Sequence, residues 1–110
     1  MNPAEQHDGE CAPVQWTPRD GAIVRKLTIC NRKGLHARAS AKFVQTVERF
    51  DADVRVMRCG ETVGGTSIMG LMMLAASPGT SIIVEAIGPQ AADVVEALAT
   101  LVNARFGEDD

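Results

Sequence analysis

Two long apolar stripes at helical spacing, separated by short segments that alternate apolar and polar residues, constrain this chain most. Ser40, Phe43, Val44, Val47 and Phe50 recur every three or four residues, and so do Ala91, Val94, Val95, Leu98, Leu101 and Val102. That spacing predicts helices over residues 37–49 and 90–106, each with one face to bury. Period-two patterns predict strands over residues 23–30, 52–58, 61–63 and 80–87. Cys59-Gly60 marks a tight turn between the second and third strands, which makes them a hairpin. Ser67 stands just ahead of Ile68-Met69-Gly70-Leu71-Met72-Met73-Leu74, a capping serine before a short apolar helix closed by Pro78-Gly79. The order is β-α-β-β-α-β-α. Both long helices can bury their stripes against one face of a four-stranded sheet.

A chain of 110 residues suits one core. Residues 23–107 hold the periodic segments, whereas residues 1–22 carry Pro3, Pro13 and Pro18 and four acids against one arginine. We therefore expect a flexible acidic N-terminal tail over residues 1–22, a domain over 23–107 and an acidic C-terminal end at 108–110. Trp16 in the tail reads as a loosely packed indole, and His7 with Cys11 lacks the further ligands that a metal requires. Cys11, Cys30 and Cys59 form no disulfide framework; the latter two read as small buried or edge thiols, which fits a reducing cytoplasm. No signal peptide and no membrane-length apolar run is visible.

Charge is unevenly placed. Nine of the 11 lysines and arginines lie between Arg25 and Arg58. An ordinary solvated surface is the simplest account of them, and a mildly basic patch that favours acidic partners is the other. The patch is too weak for nucleic acid, and aromatics at 4% argue against base stacking.

The run Gly34-Leu35-His36-Ala37-Arg38 carries the chemistry that the sequence offers. His36 directly precedes the first long helix, so the unpaired amides of Ala37 and Arg38 are expected to point toward its ring. Such a helix end binds phosphate through free N–H groups and a favourable dipole, and it disfavours imidazolium. Arg38 adds a permanent cation whose planar fork suits phosphoryl oxygens. From a five-residue motif alone, a turn residue or helix cap without chemistry is the more economical reading. A zinc site lacks a second histidine in the folded region, and no nucleophile elbow suggests a hydrolase. Met69, Met72 and Met73 suggest an adaptable, partly exposed apolar surface.

Taken together, Gly34-Leu35-His36-Ala37-Arg38 with Phe43-Val44, and Ser67-Ile68-Met69-Gly70-Leu71 beyond it, resemble the two motifs of the HPr family. These are the histidine-containing phosphocarriers of the bacterial phosphoenolpyruvate-dependent phosphotransferase system. The likeness covers about residues 23–106. It implies an α+β open-faced β-sandwich, a four-stranded antiparallel sheet with three helices on one face. It implies phosphoryl uptake on Nδ1 of His36 from enzyme I, with Arg38 assisting, and onward transfer to enzyme IIA proteins, in sugar uptake or a regulatory branch. Such a protein relays the group without turnover of its own, needs no cofactor or metal, and is expected as a cytoplasmic monomer. Ser67 would be the target of an HPr kinase/phosphorylase where the organism has one, and Met69, Leu71 and Met72 would belong to the docking surface. The family's usual proline after the arginine is replaced by Ala39, which should keep the helix but loosen its first turn. The alternative is a regulatory binding module on the same fold, controlled by phosphorylation of Ser67.

Overall fold

In the computed structural model, residues 17–108 are described. The expectations for His7, Cys11, Trp16, Asp109 and Asp110 fall outside them. Four strands, β1 (Ile23–Thr28), β2 (Asp53–Arg58), β3 (Glu61–Gly64) and β4 (Ser81–Ile87), form one sheet in the order β1-β4-β2-β3. Every neighbouring pair is antiparallel. Three helices, α1 (Ala37–Val47), α2 (Ile68–Met73) and α3 (Ala91–Asn103), complete the predicted order.

Register explains the single buried face. Leu27 lies opposite Ile82, and Val54 and Val56 lie opposite Ala86 and Val84. All six are buried and join Phe43, Val44 and Val47 of α1 and Val94, Val95, Leu98 and Val102 of α3 in one core. Phe43, Val56, Ile82, Val84, Val94, Leu98 and Val102 are fully excluded from solvent. At about 1.5–3 kcal/mol for each large apolar side chain taken from water, this burial is the main force that holds helices to sheet. Arg25 interrupts the inward row of β1 at its more open start, where its guanidinium meets the Glu96 carboxylate of α3.

Strand β1 stops at Thr28 rather than Cys30, and both long helices end earlier than expected. Helix α1 stops at Val47; the Arg49 and Phe50 amides donate to Thr46 and Val47 carbonyls in a tightened last turn. Helix α3 stops at Asn103, because Arg105 and Phe106 take φ of 57° and 56°. A short 3₁₀ turn over Arg105–Gly107 then folds the Phe106 ring back into the core. Helical periodicity ran on to Phe106 in the sequence because that ring is a core residue. It reaches the core by reversing the chain.

The outer face of the sheet is not uniformly open. Glu85 points outward between Val24 and Arg55, yet its side chain is only 1% exposed. Arg19 covers it: Nε donates to Glu85 Oε1 at 2.6 Å, the Arg19 amide donates to Oε2 at 2.8 Å, and Nη1 reaches Asp53 Oδ2 at 2.6 Å. The bond to Asp53 is the main reason the guanidinium is held further toward its charged form, and Glu85 adds to it against the cost of burial. Arg19 thus attaches to the sheet within the segment expected to be a tail. The hairpin turn after β2 places Cys59 at φ 56° and Gly60 at φ 80°. Cys30 is an exposed free thiol, so the edge-thiol reading holds for it.

Gly34, just ahead of α1, is the position with least freedom. Its φ is +64°, and a Cβ there would lie 2.2 Å from the Ala76 carbonyl oxygen. That same oxygen accepts the Leu35 amide at 2.9 Å, so the loop before β4 and the entry to α1 are bonded at the place where they are closest. Gly34→Ala should cost well over about 1 kcal/mol and lower the thermal midpoint by at least about 5 °C. A melting curve within a degree or so of the parent's would show that the turn can relax, contrary to this geometry.

Candidate functional site

The site is built from the turn that follows β1. Asn31 is fully buried, and its Nδ2 donates to the Gly34 carbonyl at 2.8 Å, which closes the turn. Leu35 is buried beyond it. His36 then takes an extended conformation, φ −75° and ψ −178°, as the N-cap of α1. Its carbonyl accepts the Ser40 amide at 2.9 Å, and Ser40 Oγ donates back to the Leu35 carbonyl at 3.3 Å, which ties the helix to the turn before it.

The cap is made by the ring itself. Nδ1 of His36 accepts the backbone amide of Arg38 at 3.3 Å, the role a serine or aspartate oxygen ordinarily fills at this position. Of the two amides expected to face the ring, Arg38 bonds to it; Ala37 lines the adjoining pocket. The side chain of His36 is 26% exposed, so the ring is neither sunk in the core nor free of the fold.

A second contact was not anticipated. Glu108, read from the sequence as part of an acidic end, brings Oε2 to within 2.5 Å of His36 Nε2. Its Oε1 accepts from Asn31 Nδ2 at 3.1 Å. Burial on its own would raise the Glu108 carboxyl; the hydrogen bonds from His36 and Asn31, with the charges of His36 and Lys33, outweigh it and hold the group below the usual glutamate range. With Nδ1 accepting an N–H, the neutral ring carries its proton on Nε2, and Nε2–H is then the donor to Glu108.

Topology explains how residue 108 comes to lie beside residue 36. Helix α3 packs back on the sheet after a short link, so it runs against β4 and therefore along β1. Its end arrives where β1 ends, and Cys30 Sγ donates to the Val102 carbonyl there at 3.3 Å. Buried Phe106 then turns the chain toward α1, and Lys42 Nζ of α1 donates to the Phe106 carbonyl at 2.5 Å. The signal was present in the order of elements, since β4 must run against β1 for α3 to end at the histidine corner. No local motif marks Glu108.

The open side of the corner is a shallow pocket of about 630 Å³ lined by Lys33, His36, Ala37, Arg38, Lys42, Gly107 and Glu108. Three cations and one carboxylate therefore surround the ring. The Arg38 side chain is exposed, and among the described residues it forms no ion pair. Among the described residues no group of three or more His, Cys, Asp or Glu side chains could hold a metal, and no helix is long and apolar enough to cross a membrane.

Ser67 belongs to a different helix start and does not line this pocket. It is the N-cap of α2, and its Oγ accepts the Gly70 amide at 2.9 Å. A Cβ on Gly70 would meet Ser67 Oγ and Val63 Cβ, each at 2.9 Å, so glycine allows the cap and the seating of α2 on β3 together. Sequence reading gave that glycine no role. Along α2, Met69 and Met73 are 70% and 77% exposed, and Ile68 and Met72 are each 40% exposed. Leu71, expected on the docking surface, is fully buried. That expectation is corrected: Leu71 is the residue by which α2 grips the core, and the exposed apolar surface is made by Ile68, Met69, Met72 and Met73.

Comparison with known proteins finds matches over most of the chain. Residues 23–104 match the family described as the PTS HPr component phosphorylation site. The chain is similar to a phosphocarrier protein HPr of Neisseria meningitidis serogroup A, 48% identical over 88 residues, which covers 80% of this chain and 99% of that protein. It is 45% identical, with the same coverage, to a phosphocarrier protein HPr of Cupriavidus necator. In structure it is similar to an HPr from Thermoanaerobacter tengcongensis, with a TM-score of 0.76 and 35% identity over 80% of this chain and 99% of that one.

The lowered Glu108 carboxyl has a consequence for stability. A carboxyl whose folded value lies below its unfolded value of ~4.3 adds stability that is fully present above the unfolded value and is lost as pH falls through the folded one. In urea titrations, the parent should therefore exceed Glu108→Gln by a constant margin near neutral pH, and the margin should shrink under acid. A margin that grows with acid contradicts the ionised, hydrogen-bonded state of Glu108.

Proposed function

This chain belongs to the HPr family of phosphocarrier proteins of the phosphotransferase system, and from that premise we propose that His36 takes up the phosphoryl group and gives it away again. The donor is enzyme I, charged by phosphoenolpyruvate, and the acceptors are enzyme IIA proteins. The observation that carries the reading is the placing of Nδ1, which accepts the Arg38 amide at the start of α1 while the ring keeps one edge to solvent. A nitrogen that accepts a hydrogen bond is unprotonated, and its lone pair can attack phosphorus as the Arg38 amide releases it to bond the incoming oxygens.

Once the group is on Nδ1, its oxygens meet the helix start, where the free amide ends favour an anion. The Arg38 guanidinium, exposed beside them, can close on two oxygens at once. Lys33 and Lys42 on the rim of the pocket add a positive field for the incoming group. The helix-end contact itself contributes ~0.3–1 kcal/mol, seldom above ~2. That size suits a carrier, since it orients the group without trapping it. The protein relays the group and turns over no small molecule of its own.

Ser67 is proposed as a regulatory site. A phosphate on its Oγ would keep a strong acceptor at the start of α2 and add about −1.5 to −2 of charge. Met69 and Met73 lie exposed on the same helix, so an acidic partner that docks on them would be repelled. The exposed surface of Ile68, Met69, Met72 and Met73 suits a partner with an apolar patch, because methionine adapts to several shapes.

Incubation with enzyme I and phosphoenolpyruvate should add one acid-labile phosphate per chain. His36→Ala should abolish it, and Arg38→Ala should slow it on the order of a hundredfold. Label that persists in His36→Ala refutes the assignment. Acid-stable phosphate on Ser67, with none on His36, would instead mark the chain as a regulatory module.

A further inference from the structure

The helix start accounts for one edge of the His36 ring, and Glu108 occupies the other. Its carboxylate meets Nε2, the nitrogen away from the Arg38 amide, at 2.5 Å. It is not a loose surface acid. Asn31, fully buried, holds its second oxygen at 3.1 Å. The hook that carries it is anchored by the buried Phe106 ring and by the Lys42 bond to the Phe106 carbonyl at 2.5 Å. The side chain of Glu108 is 13% exposed. Two of its bonds thus come from residues of the turn and cap that set the ring, and the chain just before it is tied to α1 at the Phe106 carbonyl.

We propose that Glu108 is a positioning residue for phosphotransfer at His36: it keeps the ring proton on Nε2, so that the lone pair stays on Nδ1, and it balances the ring's charge while Nδ1 carries the phosphoryl group. The proposal rests on the reading of His36 as phosphoryl acceptor.

The step is balanced without any further reactant. The Nδ1 lone pair forms the bond to phosphorus as the bond from phosphorus to the donor breaks, and that electron pair leaves with the donor. Nε2 keeps its proton, so the ring becomes an Nδ1-phosphorylated imidazolium whose positive charge faces the Glu108 carboxylate. In the onward step a lone pair of the acceptor bonds to phosphorus, and the P–Nδ1 pair returns to the ring. The neutral Nε2–H tautomer is restored, and the proton has not moved. The charged side chains around the ring are Lys33 from the turn, Arg38 and Lys42 from α1, and Glu108. Three of these are cations, and among the described residues lining the pocket Glu108 is the one carboxylate that can balance the positive charge of the phosphorylated ring. A carboxylate hydrogen-bonded to one ring nitrogen fixes tautomer and ring orientation together.

The test uses the full chain with His7→Gln, so that His36 supplies the imidazole signals. Nitrogen-15 shifts in mildly alkaline buffer, where an imidazole holds one ring proton, report the tautomer. Uptake of phosphate from enzyme I and phosphoenolpyruvate reports the rate. The parent should show the Nε2–H tautomer. Glu108→Ala should raise the Nδ1–H share several-fold and slow uptake about tenfold, still to one phosphate per chain and with circular dichroism unchanged. Glu108→Asp, which keeps a carboxylate on a shorter arm, should recover part of both. A tautomer ratio and an uptake rate in Glu108→Ala within about twofold of the parent overturn the proposal while leaving His36 as the acceptor. A parent that takes up no phosphate on His36 overturns both.

Discussion

One imidazole held from two sides is the constraint on which the rest of this structure depends. The Arg38 amide fixes Nδ1 at 3.3 Å, and the Glu108 carboxylate meets Nε2 at 2.5 Å. Neither contact is strong alone. A cap of this kind contributes about 1 kcal/mol, and a hydrogen bond to a charged group about 1.5–3. Together they oppose a flip of the ring, and in the proposed relay that would decide which nitrogen acts as the nucleophile. Holding a reactive atom in place is worth more to group transfer than gripping the cargo, because the cargo must leave.

The scaffold is arranged to bring three distant pieces of chain to that ring. Antiparallel pairing of β1 with β4 sends α3 along β1, so the chain end returns to the corner that follows β1. Gly34 lets the loop before β4 approach within bonding distance of the entry to α1, as its own Cβ would collide with the Ala76 oxygen. Asn31 joins the two arrangements, since its one amide group donates both to the Gly34 carbonyl and to Glu108. The same fold builds a second capped helix start at Ser67 and leaves methionines exposed beside it. On the opposite face of the sheet Arg19 neutralises the buried Glu85, a carboxylate that would otherwise be costly to place there.

Much of this was legible in the residues. Period-two and helical spacing identified four strands and three helices in their order, and the antiparallel sheet expected from the HPr likeness is the one observed. Both helix starts, at His36 and Ser67, could be read because a capping residue is a local event. Properties set by tertiary packing could not. Leu71 sits in an apolar run that has no visible inner face until α2 is seated on β3, so its burial was missed. Phe106 looked like the last helical core residue, whereas it reaches the core through a left-handed turn. Arg19 lay in a segment that composition marked as a tail, yet it answers an outward-facing glutamate 66 positions away. Glu108 was one acid among three at the chain end, and only the path of α3 shows what it meets.

The central claim is that Nδ1 of His36 is the reacting atom and that the fold reserves it for that role. Phosphorus–nitrogen coupling in the phosphorylated, nitrogen-15-labelled protein measures this directly. The account predicts coupling of phosphorus to Nδ1 of His36, with the proton still on Nε2. Coupling to Nε2, or phosphorus on any other residue, would contradict it.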